Sequence, residues 1–321
     1  PDFRTALFLR FLQGIGFAAL TPIIIASIGD LYSGTKEATA QGLRFTGSGI
    51  ASASAPLFAG SLVGIAWQYP FLIYTIAFPI AVVIYICFEE PIDTDAHVES
   101  DEESLKTQLK RLWTLVSHRR AAAVVVGRGM TSLIWIGFLT YNSIIVVTVM
   151  GGTPTQAGLL AALASAGYGF SATQTGRITS YFDSRLAPLA TMNVAMGVGV
   201  SVVFVAEELP MAYVGVTVMG IGFGVTLSLY RSILTEMAPA SLRGGLVSLA
   251  EGNGRVTGTI TPVVMGAAIA LATPQFGFDL SVRVVGTVTG LFGAGIGILC
   301  LFVIRQSPPI EIEGITPPDD G

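Results

Sequence analysis

Residues 14 to 17 read Gly-Ile-Gly-Phe, and residues 220 to 223 read Gly-Ile-Gly-Phe again. The same offset of 206 carries Pro56 onto Pro262, Gly60 onto Gly266 and the acidic Asp30 onto Glu236. A gap-free register running from Gly14 to Gly60 is hard to obtain from composition alone, even in a glycine-rich chain, so an internal repeat is expected.

The composition around these anchors says what kind of unit is repeated. Of 321 residues 52% are apolar and 12% charged, with a mean hydropathy of +0.70; the charged share is about half that of a soluble domain. This excludes an ordinary water-soluble enzyme. A net charge of −4 and the lack of any basic run longer than two residues exclude a nucleic-acid-binding chain. Runs without Asp, Glu, Lys or Arg cover 11–29, 45–88 (interrupted at Trp67 to Pro70), 129–176 (interrupted at Gly151 to Pro154), 186–206, 209–230, 256–278 and 284–304. A membrane-spanning helix needs about 20 such residues, and backbone groups in hydrocarbon must be paired within the segment. The expectation is an all-α, polytopic membrane helical bundle with nine transmembrane helices. Thirty-eight glycines suit close packing of those helices.

Basic residues collect in alternate connections: Lys36 and Arg44, then Lys106, Lys110, Arg111, Arg119 and Arg120, then Arg177 and Arg185, then Arg231 and Arg243, then Arg305. By the positive-inside rule that side is cytoplasmic, with the C-terminus on it and the N-terminus outside. Both repeat copies then run in the same direction, as parallel repeats do. Helices one to three match the last three, so about 85 residues carrying three more helices are expected ahead of Pro1.

On these features the chain resembles helices 4–12 of a twelve-helix major facilitator superfamily transporter. Arg10, Gln13, Gly14 and Gly16 match the family's Arg-x-x-Gln-Gly-x-Gly pattern, with the first Gly-equivalent pair closely kept. Trp67 to Phe71 resemble its Trp-Arg-x-x-Phe junction, with Gln68 in place of Arg. Gly176, Arg177 and Arg185 resemble its eighth-to-ninth loop, with Ser180 where Asp is usual. The antiporter proline motif is recognisable but eroded around Pro56, with Gly42 and Gly60 kept and Ala51, Ala55 and Ala59 in place of glycine, so Pro56 is expected either to carry that signature or only to kink its helix.

The resemblance implies a domain order of helices 4–6 in 1–88, a cytoplasmic linker in 89–120, a six-helix bundle in 121–304 and a cytoplasmic tail in 305–321. It implies alternating access between two halves, a small-molecule substrate and protons as partners, a plasma-membrane location and a monomer. Proton-coupled efflux of multidrug or metabolite antiporter type comes first. Proton symport of an organic anion or sugar is the alternative, and a non-transporting receptor or scaffold is the alternative of another class.

Ionisable residues within spans cost free energy and mark function by default. Arg10 is expected to hold an anion, to pair with a carboxylate on one of the three further helices or to snorkel, and the resemblance implies a part in proton coupling. Glu251 and Arg255 stand i, i+4 and so share a helix face, as a structural ion pair or a cavity-facing one. Arg128 sits within reach of the cytoplasmic surface. Tyr141 and Asn142, with Trp135 below, are either cavity-lining or packing groups. Pro262 and Gly266 join Pro56, Gly60, Gly14, Gly16, Gly176, Arg177 and Arg185 as conformational and packing positions. No catalytic constellation, metal-ligand spacing or cofactor motif appears, so neither enzyme chemistry, a cofactor nor a metal is expected.

Overall fold

Charge-free runs become helices that extend past the runs themselves, because a helix satisfies its own backbone wherever the side chains allow. The computed structural model describes residues 2–32, 34–87, 105–182, 184–237 and 240–307. The chain divides into two compact units, Pro1–Ala51 with Phe71–Asp101, and Ser52–Pro70 with Glu102–Gly321. The linker residues 88–104 and the tail 308–321 lie outside the described residues.

In the first unit, α1 spans Phe3–Leu31 and begins at Asp2, whose carboxylate accepts the Thr5 amide at 3.0 Å. Helix α2 spans Gly34–Val63 and carries Pro56 in its interior. A 3-10 stretch at Tyr69–Ile76 leads into α3, Ala77–Cys87. Residues 52–70, the far end of α2, group with the second unit. Bare Gly60 lies against α6 there: a Cβ at 60 would stand 2.7 Å from the Pro154 carbonyl oxygen and 3.2 Å from Gly158 Cα.

The second unit contains α4 (Leu105–Ser117), α5 (Arg119–Ser143), α6 (Pro154–Thr179), α7 (Leu186–Val205), α8 (Leu209–Met237), α9 (Ala240–Phe276) and α10 (Phe278–Gln306). The last turns of α5 widen into a π-helical segment, Ile144–Val149. Gly151, at φ 68°, then turns the chain, a conformation that costs glycine little. Helix α6 starts on a reciprocal cap: the Gln156 amide donates to Thr153 Oγ1 at 3.3 Å and the Thr153 amide to Gln156 Oε1 at 2.7 Å, with Pro154 in the first turn. Gly277, at φ 78°, makes the corresponding turn between α9 and α10.

Among the described residues six helical segments are long and apolar enough to cross a membrane: Tyr69–Cys87, Arg119–Val149, Leu186–Val205, Leu209–Met237, Leu242–Phe276 and Phe278–Gln306. The other three expected spans are helical as α1, α2 and α6, of 29, 30 and 26 residues. Within the expected linker lies the helix α4, which turns Leu115 into the core while Trp113 stays 74% exposed.

The helices of the second unit approach through small residues. A Cβ on Gly220 would meet the Ala164 backbone of α6, and one on Gly199 would meet the α8 backbone at Gly215 and Met219. Contact this close lets dispersion and weak backbone interactions replace the hydrophobic driving force that lipid does not supply. Two buried clusters result. One is centred on Phe138, Met196, Phe204 and Met219, the other on Tyr230, Leu229, Leu246 and Leu301.

Candidate functional site

Three helices of the second unit supply one charged cluster. Arg128 lies on α5, about 14 Å from its first residue at 1.5 Å per residue, and its side chain is 7% exposed. Its Nη2 donates to Glu251 Oε2 at 2.9 Å and its Nη1 to Ser132 Oγ, one turn along, at 2.7 Å. Arg231, from α8, donates through Nε to Glu251 Oε1 at 2.9 Å. Glu251, on α9, therefore has one oxygen on each arginine. Its side chain is 29% exposed, against 44% for Arg231. With two guanidinium groups and one carboxylate, the cluster carries a net positive charge.

The local sequence makes room for this. A Cβ at Gly254 would stand 2.8 Å from Ser132 Oγ and 3.1 Å from Arg128 Nη1. Asn253 Nδ2 donates to the Val125 carbonyl at 2.9 Å, holding α9 against α5. Farther along α5, Trp135 stacks on Phe223 of α8, centroids 4.2 Å apart and planes at 15°. Tyr168 of α6 meets Phe223 edge-on at 5.1 Å and Trp135 at 5.9 Å. The three rings form an aromatic platform with offset-stacked and T-shaped geometry.

Several of the sequence-derived residues come together and others do not. Glu251 does not pair with Arg255: its partners come from other helices, and Arg255 is exposed with no ion pair among the described residues. Arg128 is not at the surface but buried in the pair. Tyr141, Pro262 and Gly266 do meet. The Tyr141 hydroxyl donates to the Pro262 carbonyl at 3.1 Å, and a Cβ at Gly266 would stand 3.0 Å from that hydroxyl. Asn142 is buried, and its Oδ1 has no hydrogen-bond partner among the described residues.

Gly176 and Arg177 lie in the last turns of α6, and Arg185 caps α7. Arg185 Nη1 donates to Ser232 Oγ at 2.7 Å and to Glu236 Oε1 at 2.5 Å. In the first unit, Arg10 Nη1 donates to Gln13 Oε1 at 2.9 Å and to the Tyr74 hydroxyl at 3.4 Å. Its guanidinium lies 5.7 Å from the Phe71 ring centroid and 5.9 Å from that of Tyr74. This is cation–π range. Gly14 and Gly16 have no atom within 4 Å of a built Cβ, unlike Gly220 and Gly222. The side chain of Asp30 lies outside the described residues.

Sequence spacing does not single out Arg231, Ser132, Tyr168 and Phe223. Arg231 follows an apolar run that stops at Tyr230 and so reads as a loop charge, yet α8 continues to Met237. The available signal was the need of a membrane-embedded Glu251 for nearby counter-charge. Among the described residues no group of three His, Cys, Asp or Glu side chains is placed to hold a metal ion.

The sequence model of the Major Facilitator Superfamily matches residues 1–151 and 129–317. No curated protein matches the chain. Among solved structures the fold is similar to that of a bacterial homologue of the human lysosomal transporter Spinster. In that protein's inward-facing, unoccupied conformation the TM-score is 0.75 at 15% identity, covering 95% of this chain and 79% of that one. In its inward-facing, occupied conformation the TM-score is 0.68 at 17% identity, covering 91% and 75%.

Proposed function

The chain belongs to the major facilitator superfamily, and from that premise we propose that it exchanges protons for a small molecule, in the direction of export. It is an all-helical, multi-pass membrane protein with the fold of a secondary transporter. The observation that carries the proton assignment is Glu251, a carboxylate inside a membrane helix, clamped between Arg128 of α5 and Arg231 of α8.

A proton taken up on either oxygen of Glu251 cancels the charge that attracts both guanidinium groups. The protonated oxygen no longer accepts from its arginine and the other keeps at most one neutral hydrogen bond, so the bridge that ties α5, α8 and α9 together is weakened. Loss of the proton re-forms it. A bistable ion-pair cluster of this kind converts a local charge change into helix displacement. Phe223 is buried between Trp135 and Tyr168, and the half-buried Trp135 and Tyr168 are the rings of this group left to meet an amphipathic molecule. The small-residue surroundings of Pro56, with Gly60 seated on α6, support the antiporter assignment.

The remaining assignments belong to the same reading: helices 4–6 in 1–88, the linker 89–120 and tail 305–321 on the cytoplasmic side of the plasma membrane, and a monomeric bundle over 121–304. A second reading, symport of an organic anion, rests on Arg255, which is exposed and makes no ion pair among the described residues, and on Arg10.

The test reconstitutes the chain in vesicles containing a pH-sensitive dye and adds drug-like cations, organic acids and sugars in turn. Substrate-dependent proton movement that disappears in Glu251→Gln, while downhill substrate exchange persists, is the expected result. Proton movement that survives Glu251→Gln refutes the assignment. Anion accumulation that needs Arg255 selects the second reading.

A further inference from the structure

At the end of the second unit where α5 and α7 begin and α8 and α10 finish, two cavities share a wall made of Ser184 and Leu186. The first, about 510 Å³, is a groove between α7 and α10 walled by Ala187, Ala190, Ile298, Leu301 and Phe302, with Arg305 at its end. The second, about 430 Å³, is polar and contains Arg120, Arg185 and Glu236. An apolar slot that adjoins a chamber holding Arg120 and Arg185, across Ser184 and Leu186, suits one amphipathic anion with its tail in the slot and its head on the chamber side.

The charges of the chamber are unequal. Glu236 is already taken by Arg185, which also donates to Ser232. Arg120 has no ion pair among the described residues, and its Nε is shut off from solvent with no hydrogen-bond partner among them. Arg305 likewise makes no ion pair there. Two guanidinium groups therefore remain uncompensated at the mouth of a lipid-facing groove, in which Phe302 is 56% exposed.

We propose that these adjoining cavities bind an anionic phospholipid of the adjacent leaflet, with an acyl chain along the α7–α10 groove and the phosphate at the shared edge, approached by Arg305 from the groove and by Arg120 from the chamber. Basic pockets between membrane helices recognise lipid head groups through this combination of charge and shelter. Arginine suits the role because its planar fork matches phosphate oxygens in pairs. A zwitterionic lipid brings a quaternary cation into the same positive chamber, which disfavours it. A soluble organic anion leaves the apolar groove unfilled. The acidic tail, with Glu311, Glu313, Asp319 and Asp320 following Arg305 in sequence, is the competing occupant that the experiment must separate.

The experiment titrates the purified full chain with phosphatidylglycerol or phosphatidylcholine of identical acyl chains and reads lipid adducts by native mass spectrometry. Phosphatidylglycerol is expected to bind roughly 30-fold more tightly, about fivefold for each of the two arginines. Arg120→Gln with Arg305→Gln is expected to erase that preference, and the corresponding double Lys variant to keep most of it. Arg243→Gln, at the same end but outside both cavities, leaves it intact. Ala190→Phe, which fills the groove without touching the arginines, weakens phosphatidylglycerol binding and guards against a misfolded double variant. Equal binding of the two lipids by the parent chain overturns the proposal, as does a preference indifferent to both the Gln pair and Ala190→Phe. Binding that emerges only when residues 308–321 are removed shows that the tail holds the site, and overturns it as well.

Discussion

Replacing Glu251 by Gln separates the energetic roles of its two arginines. The change keeps the shape of the side chain and removes the charge that two guanidinium groups face at 2.9 Å. Arg128, 7% exposed, is then left without a counter-ion where water scarcely reaches. Arg231, 44% exposed, turns to solvent. Breaking a buried ion pair from one side costs about 3–5 kcal/mol, whereas a half-exposed pair contributes about 0–1 kcal/mol.

Glu251→Gln should therefore cost about 3 kcal/mol, at the low end because the new amide oxygen still accepts one hydrogen bond. Arg231→Gln should cost less than about 1 kcal/mol. Arg128→Met falls between, since Glu251 keeps Arg231 and partial hydration. At roughly 2–4 °C per kcal/mol for a unit of this size, Tm drops by about 6–12 °C in the first variant and by at most about 4 °C in the second.

The molecule supplies its own reporter. Cys300 is buried in the cluster around Tyr230 and Leu301, while Cys87 is exposed. In a Cys87→Ser background a fluorogenic thiol reagent labels Cys300 only as the second unit opens, so the labelling transition reads Tm. Equal shifts for Glu251→Gln and Arg231→Gln would refute the claim that burial of Arg128 dominates, and so would a Glu251→Gln transition unchanged from the parent.

The same assay checks two packing statements. Gly220→Val drives a branched side chain into the Ala164 backbone and should destabilise by at least about 1–3 kcal/mol; Gly252→Ala, with no atom within 4 Å of the new Cβ, should be neutral or stabilise by up to about 1 kcal/mol. Tyr141→Phe removes the hydroxyl that donates to the Pro262 carbonyl and should cost about 0.5–1.5 kcal/mol. A neutral Tyr141→Phe would mean that the hydroxyl does not brace α9 at its proline.

Much of the architecture was readable because its signals are local. Gly151 to Pro154 marked the break that the αL glycine and the Thr153 cap make, and the charge-free runs located the helices. The helical period of α4 was present in the sequence, with Leu105, Leu109, Leu112 and Val116 at i, i+4, i+7 and i+11, but the charges around it read as a linker; the tertiary structure adds the docking of Leu115 into the core. At the site, burial cost alone identified Arg128 and Glu251 as special. It did not identify their partners.

Membrane residence, helical class and the family resemblance all follow from the sequence by itself, since each depends on composition or on the order of residues along one helix. Which residues complete the charged cluster was decided only by the tertiary structure. Arg255, one turn away on the same helix, was the partner that helical spacing offered, but Glu251 reaches Arg128 across 123 residues and Arg231 across 20. The recurring Gly-Ile-Gly-Phe makes the same point. Gly14 and Gly220 are the same letter in the same motif, yet Gly220 abuts the Ala164 backbone and Gly14 has open space, because close approach is a property of two packed helices and is written in neither one alone.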